Sequence, residues 1–445
     1  MAAEGSWTVF WAEWDGRAPG ETRSLDRARL LVTALGFEDP GRPVLTVVGS
    51  KGKGTAATYA SAYLVAAGLQ VVMVTSPDLR GPRDRIRLDG QAVSERDLAS
   101  LAERLDAGRR TLPHRPSTGS PPRKDDGPTG GEAGLAGGYL SPSGLFLIAG
   151  VLYAKVVDAD VIVLEAGMGG ASDEVSLFPP TVVAITPVFG EHLGVLGDTP
   201  AEIATDKAGV VAPITRAVLS APQDSQVEAV IQARVGAGTD GPVGVEVVEP
   251  GTSGLPAHLL PPGLGRSNAE LGCVAARRLL DAIGRQAPPD GRLSGVLASV
   301  AVPGRGSWHD VPGTTSRIFA DAAINRAGIA AALAEVSRHW TEIDRVLLCL
   351  PDHKDLAGAI AELAAVPVTF VRLTGDARLR FTHALPPGWE VLDIGDVDRE
   401  FLAARGPRLV ALGTGYFIAR ILDLVGADTD RLFLPPDETL HRPSI

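Results

Sequence analysis

Thr46-Val-Val-Gly-Ser-Lys-Gly-Lys-Gly-Thr55 is the stretch whose reading decides the fold. A β-branched apolar strand, Val44–Val48, runs straight into a Gly/Lys loop, and Ala56–Ala67 follows with the composition of a helix. Strand, glycine loop and helix start together form a phosphate cradle. Glycines let backbone N–H groups converge on an anion, and the helix N-terminus adds partial positive charge. Gly49, Ser50, Lys51, Gly52, Lys53, Gly54 and Thr55 make up this cradle. Lys53 is placed to reach the terminal phosphates of a nucleotide, and the Thr55 hydroxyl to face magnesium. The spacing is shorter than Gly-x-x-x-x-Gly-Lys-Ser/Thr, so it is a more particular signal. The alternative is a glycine-rich turn opening an ordinary helix.

Outward from this loop, strands alternate with helices, which predicts parallel α/β sheets. One set of candidate strands is Val44–Val48, Gln70–Thr75, Val161–Glu165, Val182–Thr186 and Ala217–Ser220. They are apolar on both faces, as buried parallel strands are. A second set is Ser316–Ala320, Arg345–Leu350, Val368–Leu373, Glu390–Ile394 and Arg408–Leu412, with helical patterns at Ile329–His339 and Asp355–Ala365. The expected fold is α/β: a P-loop-type, mostly parallel sheet domain over 1–300, then a smaller Rossmann-like α/β domain over 301–445. Ala301–Gly306 is the expected hinge. Gly108 to Gly138, crowded with Gly, Pro, Ser, Arg and Asp, reads as a mobile surface insertion, with a substrate lid as the alternative.

The 445 residues allow two or three domains, and the formal net charge of -11 argues against a protein that coats nucleic acid. ATP remains compatible, because local cations and N–H groups meet its phosphates. Cys273 and Cys349 sit in apolar patterns and read as inert core residues, not a disulfide framework. No run reaches the about 18 apolar residues of a membrane span, and the first residues lack a secretory pattern, so a cytoplasmic location is expected.

Three further motifs carry chemistry. Val74-Thr-Ser-Pro-Asp-Leu79 precedes Asp84-Arg-Ile86. Val163-Leu-Glu-Ala-Gly-Met-Gly-Gly-Ala-Ser-Asp173 ends a strand in a carboxylate. Ala184-Ile-Thr-Pro-Val-Phe-Gly-Glu-His-Leu193 leads to Leu196-Gly-Asp-Thr199 and Ile203-Ala-Thr-Asp-Lys-Ala-Gly-Val210. Glu165, at a strand end beside the phosphate loop, can hold magnesium as a Walker B acid does, and Gly167-x-Gly-Gly170 would let a ligand approach the backbone. His192 follows another strand end, where α/β sheets place ligands. Ser76 offers magnesium a hard oxygen.

In order and spacing these motifs resemble the folylpolyglutamate synthetase and dihydrofolate synthetase branch of the Mur ligase family. The resemblance spans nearly the whole chain and is densest over 44–90 and 160–210. It implies an ATP-dependent ligase that joins a carboxylic acid to an amine through an acyl phosphate. It places one magnesium at Ser76 and Glu165, a second at Glu165 and His192, and makes Lys207 the counterpart of a lysine often carbamylated. The unmodified alternative is a Lys207 salt bridge. Arg305 matches a linker arginine that reaches the γ-phosphate. Asn268 matches an asparagine near adenine, Asp321 an aspartate at the ribose, and Thr414 a hydroxyl near the incoming amino acid. The implied partners are a small acid and an amino acid or amine, with no nucleic acid and no membrane, and the chain is expected to be a monomer.

Departures from the pattern fall on the substrate side. Asp321-Ala-Ala-Ile-Asn-Arg326 has Ile324 where the family has a histidine associated with glutamate, and Ile324 cannot pair with a carboxylate. Asp78 replaces a histidine, Gly265 a glutamine and Ala171 an arginine; Ser141-Pro-Ser-Gly144 replaces an aromatic–Glu pair. Retained ATP and magnesium machinery with altered substrate contacts leaves two ligase readings: glutamate added to a folate or pteroate, or the same chemistry on another acid or amine. A non-catalytic nucleotide-binding protein and a P-loop phosphotransferase are the readings from other classes.

Overall fold

The structure, a computed structural model, describes residues 7–114, 138–191, 193–374 and 379–436. The first sheet has eight strands: β1 (Val44–Val48), β2 (Val71–Val74), β3 (Ile86–Leu88), β4 (Gln91–Ala92), β5 (Val161–Glu165), β6 (Val182–Ile185), β7 (Ala217–Ser220) and β8 (Val245–Val247). Their order is β4-β3-β2-β5-β1-β6-β7-β8. β1 lies at the centre, parallel to β5 and β6, and every residue of these three strands is buried. That burial is why they read as unbroken apolar runs. The register opposes Val47 to Glu165, so the carboxylate leaves the sheet beside the loop that starts at Gly49.

The second sheet contains β9 (Arg305–Asp310), β10 (Arg317–Asp321), β11 (Arg345–Cys349), β12 (Val368–Arg372), β13 (Glu390–Asp393) and β14 (Arg408–Gly413), in the order β13-β12-β11-β14-β10-β9. Both sheets are therefore α/β and mostly parallel, as expected. The expected strands are present, with ends shifted by a residue or so. The helical patterns settle as Arg326–Val336 and Leu356–Glu362.

Four elements differ from the sequence expectation. β3 pairs antiparallel with β2, and β4 with β3, through a turn in which Asp89 and Gly90 both take positive φ. β9 is antiparallel to β10, so Arg305 and Gly306 belong to a strand and not to the hinge. Gly108 lies inside the helix Glu95–Arg110, where a Cβ would stand 2.9 Å from Leu35 Cδ2. A close approach between elements, not an irregular loop, thus explains that glycine; the helix takes the expected insertion as far as Arg110, and its residues 115–137 lie outside the described residues. Finally, the chain beyond the helix Gly415–Leu424 returns to the first sheet. Ala92 N donates to Asp430 O at 2.6 Å, Leu432 N to Gly90 O at 3.0 Å, and Leu432 and Phe433 are buried in that body's core.

The phosphate-loop helix, Lys53–Ala66, is buried along most of its length and packs on the helix Gly265–Ala282. Gly272 makes this approach possible, since a Cβ there would fall 2.1 Å from Ala56 O. The obstacle is backbone, so it cannot rotate away. Gly272→Val is expected to destabilise the fold by about 1–3 kcal/mol or more, read as a lower urea midpoint.

Candidate active site

The phosphate loop is built on glycine geometry. Gly49 has φ +131°, and a Cβ there would collide with Thr186. Gly52 has φ +89°, caps the helix, and would strike Asn268 if it carried a side chain. These positive angles turn the loop so that the helix N-terminus faces the space beyond β1. Lys53 opens the helix, and its Nζ lies back on Gly49 O at 3.0 Å and Ser50 O at 3.5 Å.

Glu165 is buried at the end of β5. Its Oε2 accepts from Ser76 N at 3.0 Å, and a side chain at Gly54 would begin 3.4 Å from that oxygen. Burial pushes the carboxyl above its ordinary range, opposed by the charge of Lys53, the Ser76 N–H and the charge of Arg305. The strand order thus brings Lys53, Thr55, Ser76 and Glu165 together, and Arg305 joins them from the second sheet. Gly167, Gly169 and Gly170 do not open the backbone to a ligand. Their Cβ space is taken by Ser143, by Ser172 and Asp206, and by the Lys207 backbone.

A cleft of about 660 Å³ lies between the two sheets, lined at one end by Lys51, Gly52, Thr55, Asn268, Arg305 and Asp321. Asn268 donates to Leu264 O at 3.0 Å, while its buried Oδ1 has no hydrogen-bond partner among the described residues. A buried acceptor of this kind is costly until a donor reaches it. Burial raises the Asp321 carboxyl, countered by Arg305 and Lys51.

Lys51 Nζ donates to Ala322 O at 3.3 Å, bridging the two bodies. Burial, then the charge of Arg305, pushes its ammonium down to about 8. An arriving phosphate would favour the charged form, so nucleotide binding slightly above that pH is expected to take up a proton. Calorimetry in buffers of different ionisation heat reads this uptake, and Lys51→Met should remove it.

Lys207 is almost wholly buried, and its Nζ donates to Gly49 O at 2.8 Å and to Glu191 Oε1 at 3.0 Å. The geometry therefore contains the ion pair of an unmodified lysine. His192 lies outside the described residues. Ile324 is packed at the edge of the second body's core and does not line the cleft. Thr414 caps the helix Gly415–Leu424, accepting from Phe417 N at 3.4 Å, and a Cβ on Gly415 would lie 3.8 Å from Pro77. It therefore stands close to the Ser76–Pro77 turn. Asp78 forms an ion pair with Arg85 at 2.7 Å, and Arg85 lies over the Phe146 ring. Cys273 and Cys349 are buried free thiols, as expected.

Sequence reasoning missed two charged groups here. Glu191 faces Lys207, and its charge also reaches Lys51 and Lys354. Lys354 lies just beyond the end of β11, a strand-end position that could have flagged it.

No protein-family model matches the chain. A folylpolyglutamate synthase/dihydropteroate synthase of Haloferax volcanii, described as probable and bifunctional, is 29% identical over 367 residues, covering 76% of this chain and 40% of that protein. The dihydrofolate synthase/folylpolyglutamate synthase of Mycobacterium tuberculosis is 28% identical over 385 residues, covering 79% of this chain and 74% of that protein. The chain is similar in sequence to proteins of the folylpolyglutamate/dihydrofolate synthase branch of the Mur ligase family.

The fold agrees. The Mycobacterium tuberculosis folylpolyglutamate synthase complexed with ADP and AMPPCP superposes with a TM-score of 0.74 at 22% identity, over 95% of this chain and 99% of that one. The folylpolyglutamate synthase–AMPPCP–folate complex gives 0.71 at 21%, over 94% and 98%. The chain spans only 40% and 23% of the length of two haloarchaeal relatives that it matches. Among the described residues no helix is long and apolar enough to cross a membrane.

Proposed function

We propose that this chain is an ATP-dependent ligase that joins a carboxylic acid to an amino acid through an acyl phosphate, adding L-glutamate to a folate or pteroate. The observation that carries this reading is the meeting of Lys51 and Thr55 from the first body with Arg305 and Asp321 from the second across one cleft, with Arg305 also close enough for its charge to act on Glu165 beside Lys53. The sequence similarity supports the same activity.

In this reading the substrate carboxylate attacks the γ-phosphorus of ATP, and ADP leaves. The amine then attacks the acyl carbon and phosphate departs. Lys53, the helix N-terminus and Arg305 neutralise charge in the first step, which needs positioning more than covalent help. Asn268 Oδ1 accepts from the base and Asp321 holds the ribose. Thr414, beside the Ser76–Pro77 turn, faces the amine. Closing the two bodies keeps water from the acyl phosphate.

Thr55, Ser76 and Glu165 would hold magnesium, which supplies charge neutralisation at the phosphates. Among the described residues no three His, Cys, Asp or Glu side chains gather for a metal. Magnesium is typically bound through one or two carboxylates plus phosphate oxygens. A second ion would fall to Glu165 and His192. A carbamate at Lys207 would replace its Glu191 ion pair, and intact-mass measurement of the purified protein tests for it. The acidic balance fits a cytoplasmic enzyme of small molecules, and the family reading takes it as a monomer.

The test is ADP release with ATP and magnesium, with dihydropteroate or tetrahydrofolate, with and without L-glutamate, and products followed by mass spectrometry. A glutamate-dependent product one glutamyl unit heavier supports the reading. A folded, ATP-binding protein without such turnover overturns the folate assignment. Apolar Ile324 and the Asp78–Arg85 pair favour the second reading, in which the same chemistry serves another acid or amine.

A further inference from the structure

The helix Pro142–Val156 starts beneath the turn that leaves Glu165, and its third residue is Gly144. A Cβ on Gly144 would lie 2.2 Å from Glu174 Cδ and 2.3 Å from its Oε1. The carboxyl of Glu174 thus occupies the space into which a side chain at 144 would project. Ser141 Oγ donates to Glu174 Oε1 at 2.6 Å while accepting from Gly144 N at 2.9 Å. Glu174 is buried, so its polar contacts are not shared with bulk water.

From this carboxyl a network runs to the glycine turn. Arg23 Nη1 stands 3.5 Å from Glu174 Oε2 and 3.2 Å from Asp173 Oδ2. Its Nη2 donates to Met168 O at 2.7 Å and Ser172 Oγ at 3.3 Å. Asp173 Oδ2 also accepts from Met168 N at 2.9 Å. On the far side, Asp206 accepts from Gly170 N at 2.8 Å and Ser172 N at 3.0 Å, tying the turn to the helix that carries Lys207. The segment from Met168 to Ser172 is thereby held at both ends, immediately after Glu165.

We propose that Glu174 is a positioning residue for Glu165, and that positions 144 and 174 share one carboxylate slot, filled here from 174 and open to filling from 144. It acts through the Arg23-braced turn and touches no reacting atom. This rests on the reading of Glu165 as the magnesium–phosphate carboxylate. Groups that hold a metal ligand in place typically change metal affinity by about 10–100-fold when removed. Burial and the neighbouring Asp173 push Glu174 up to about 7, so a neutral isostere keeps most of its hydrogen bonding.

The experiment is calorimetric binding of AMPPCP, with magnesium and in EDTA, to four folded full-length variants. Glu174→Ala is expected to weaken magnesium–AMPPCP binding about tenfold or more while changing metal-free binding about twofold at most. Glu174→Gln should stay near wild type. Gly144→Asp alone should weaken binding, because two carboxyl groups then compete for the slot. Gly144→Asp with Glu174→Ala should recover to within about threefold of wild type, a non-additivity reserved for groups that share a site. Wild-type magnesium dependence in folded Glu174→Ala, or a double variant no better than Glu174→Ala, overturns the proposal. Because the readout is nucleotide binding, absence of ligase turnover in wild type would overturn the functional reading without touching this one.

Discussion

Lys53→Ala is expected to lower ATP turnover by about 10³-fold, to the edge of detection. The ammonium begins the phosphate-loop helix, lies against the Gly49 and Ser50 carbonyls, and holds down the Glu165 carboxyl by its charge. Those carbonyls hold it in place before substrate arrives, so charge neutralisation costs no reorganisation during the transfer. The cradle's other lysine, Lys51, is turned toward Ala322 O, and its remaining groups are hydroxyls and backbone N–H donors that carry no full charge to replace Lys53 at the terminal phosphate. ADP release by folded Lys53→Ala protein at the wild-type rate would remove the phosphate-loop assignment.

Glu165→Ala should be nearly as damaging, about 10²–10³-fold in kcat, with a higher magnesium requirement. Burial opposes the charge of this carboxyl, and Lys53, the Ser76 N–H and Arg305 only partly compensate. Function and stability should therefore separate. Glu165→Gln is expected to lose turnover yet match or exceed wild type in urea stability at neutral pH. Magnesium titrations beside urea melts check both. Loss of stability without loss of magnesium dependence would make Glu165 a structural residue.

The loop-and-carboxylate half of the candidate site was legible in the sequence because it sits at the ends of strands buried on both faces. Val44–Val48 and Val161–Glu165 stand out as apolar runs, and each delivers the chain to a chemical group, the phosphate loop after the first and the Glu165 carboxylate at the end of the second. β9 carries no such signal. Arg-Gly-Ser-Trp-His-Asp is half exposed, and only its pairing with β10 makes it a strand. Sequence spacing likewise cannot show that Glu191 pairs with Lys207, or that Asn268 closes over Gly52, since both depend on how separate segments pack in three dimensions. Ile324 teaches the converse. The family pattern marks it as a changed amine contact, whereas its place at an apolar core edge shows which partner the new side chain has found.

The returning segment after residue 427 bears on how the molecule comes apart. Phe433 lies against Gly90, Leu432 O accepts from Ala301 N at 2.8 Å, and Arg87, fully buried, donates to Thr429 O at 2.7 Å. The two bodies are thus joined by two chain crossings that are hydrogen-bonded to each other. A fragment ending at residue 300 would lack the plug of its own core. The sheets should accordingly melt as one cooperative unit, and relative motion between them should be confined to bending about a paired ribbon instead of free swivelling on a single tether.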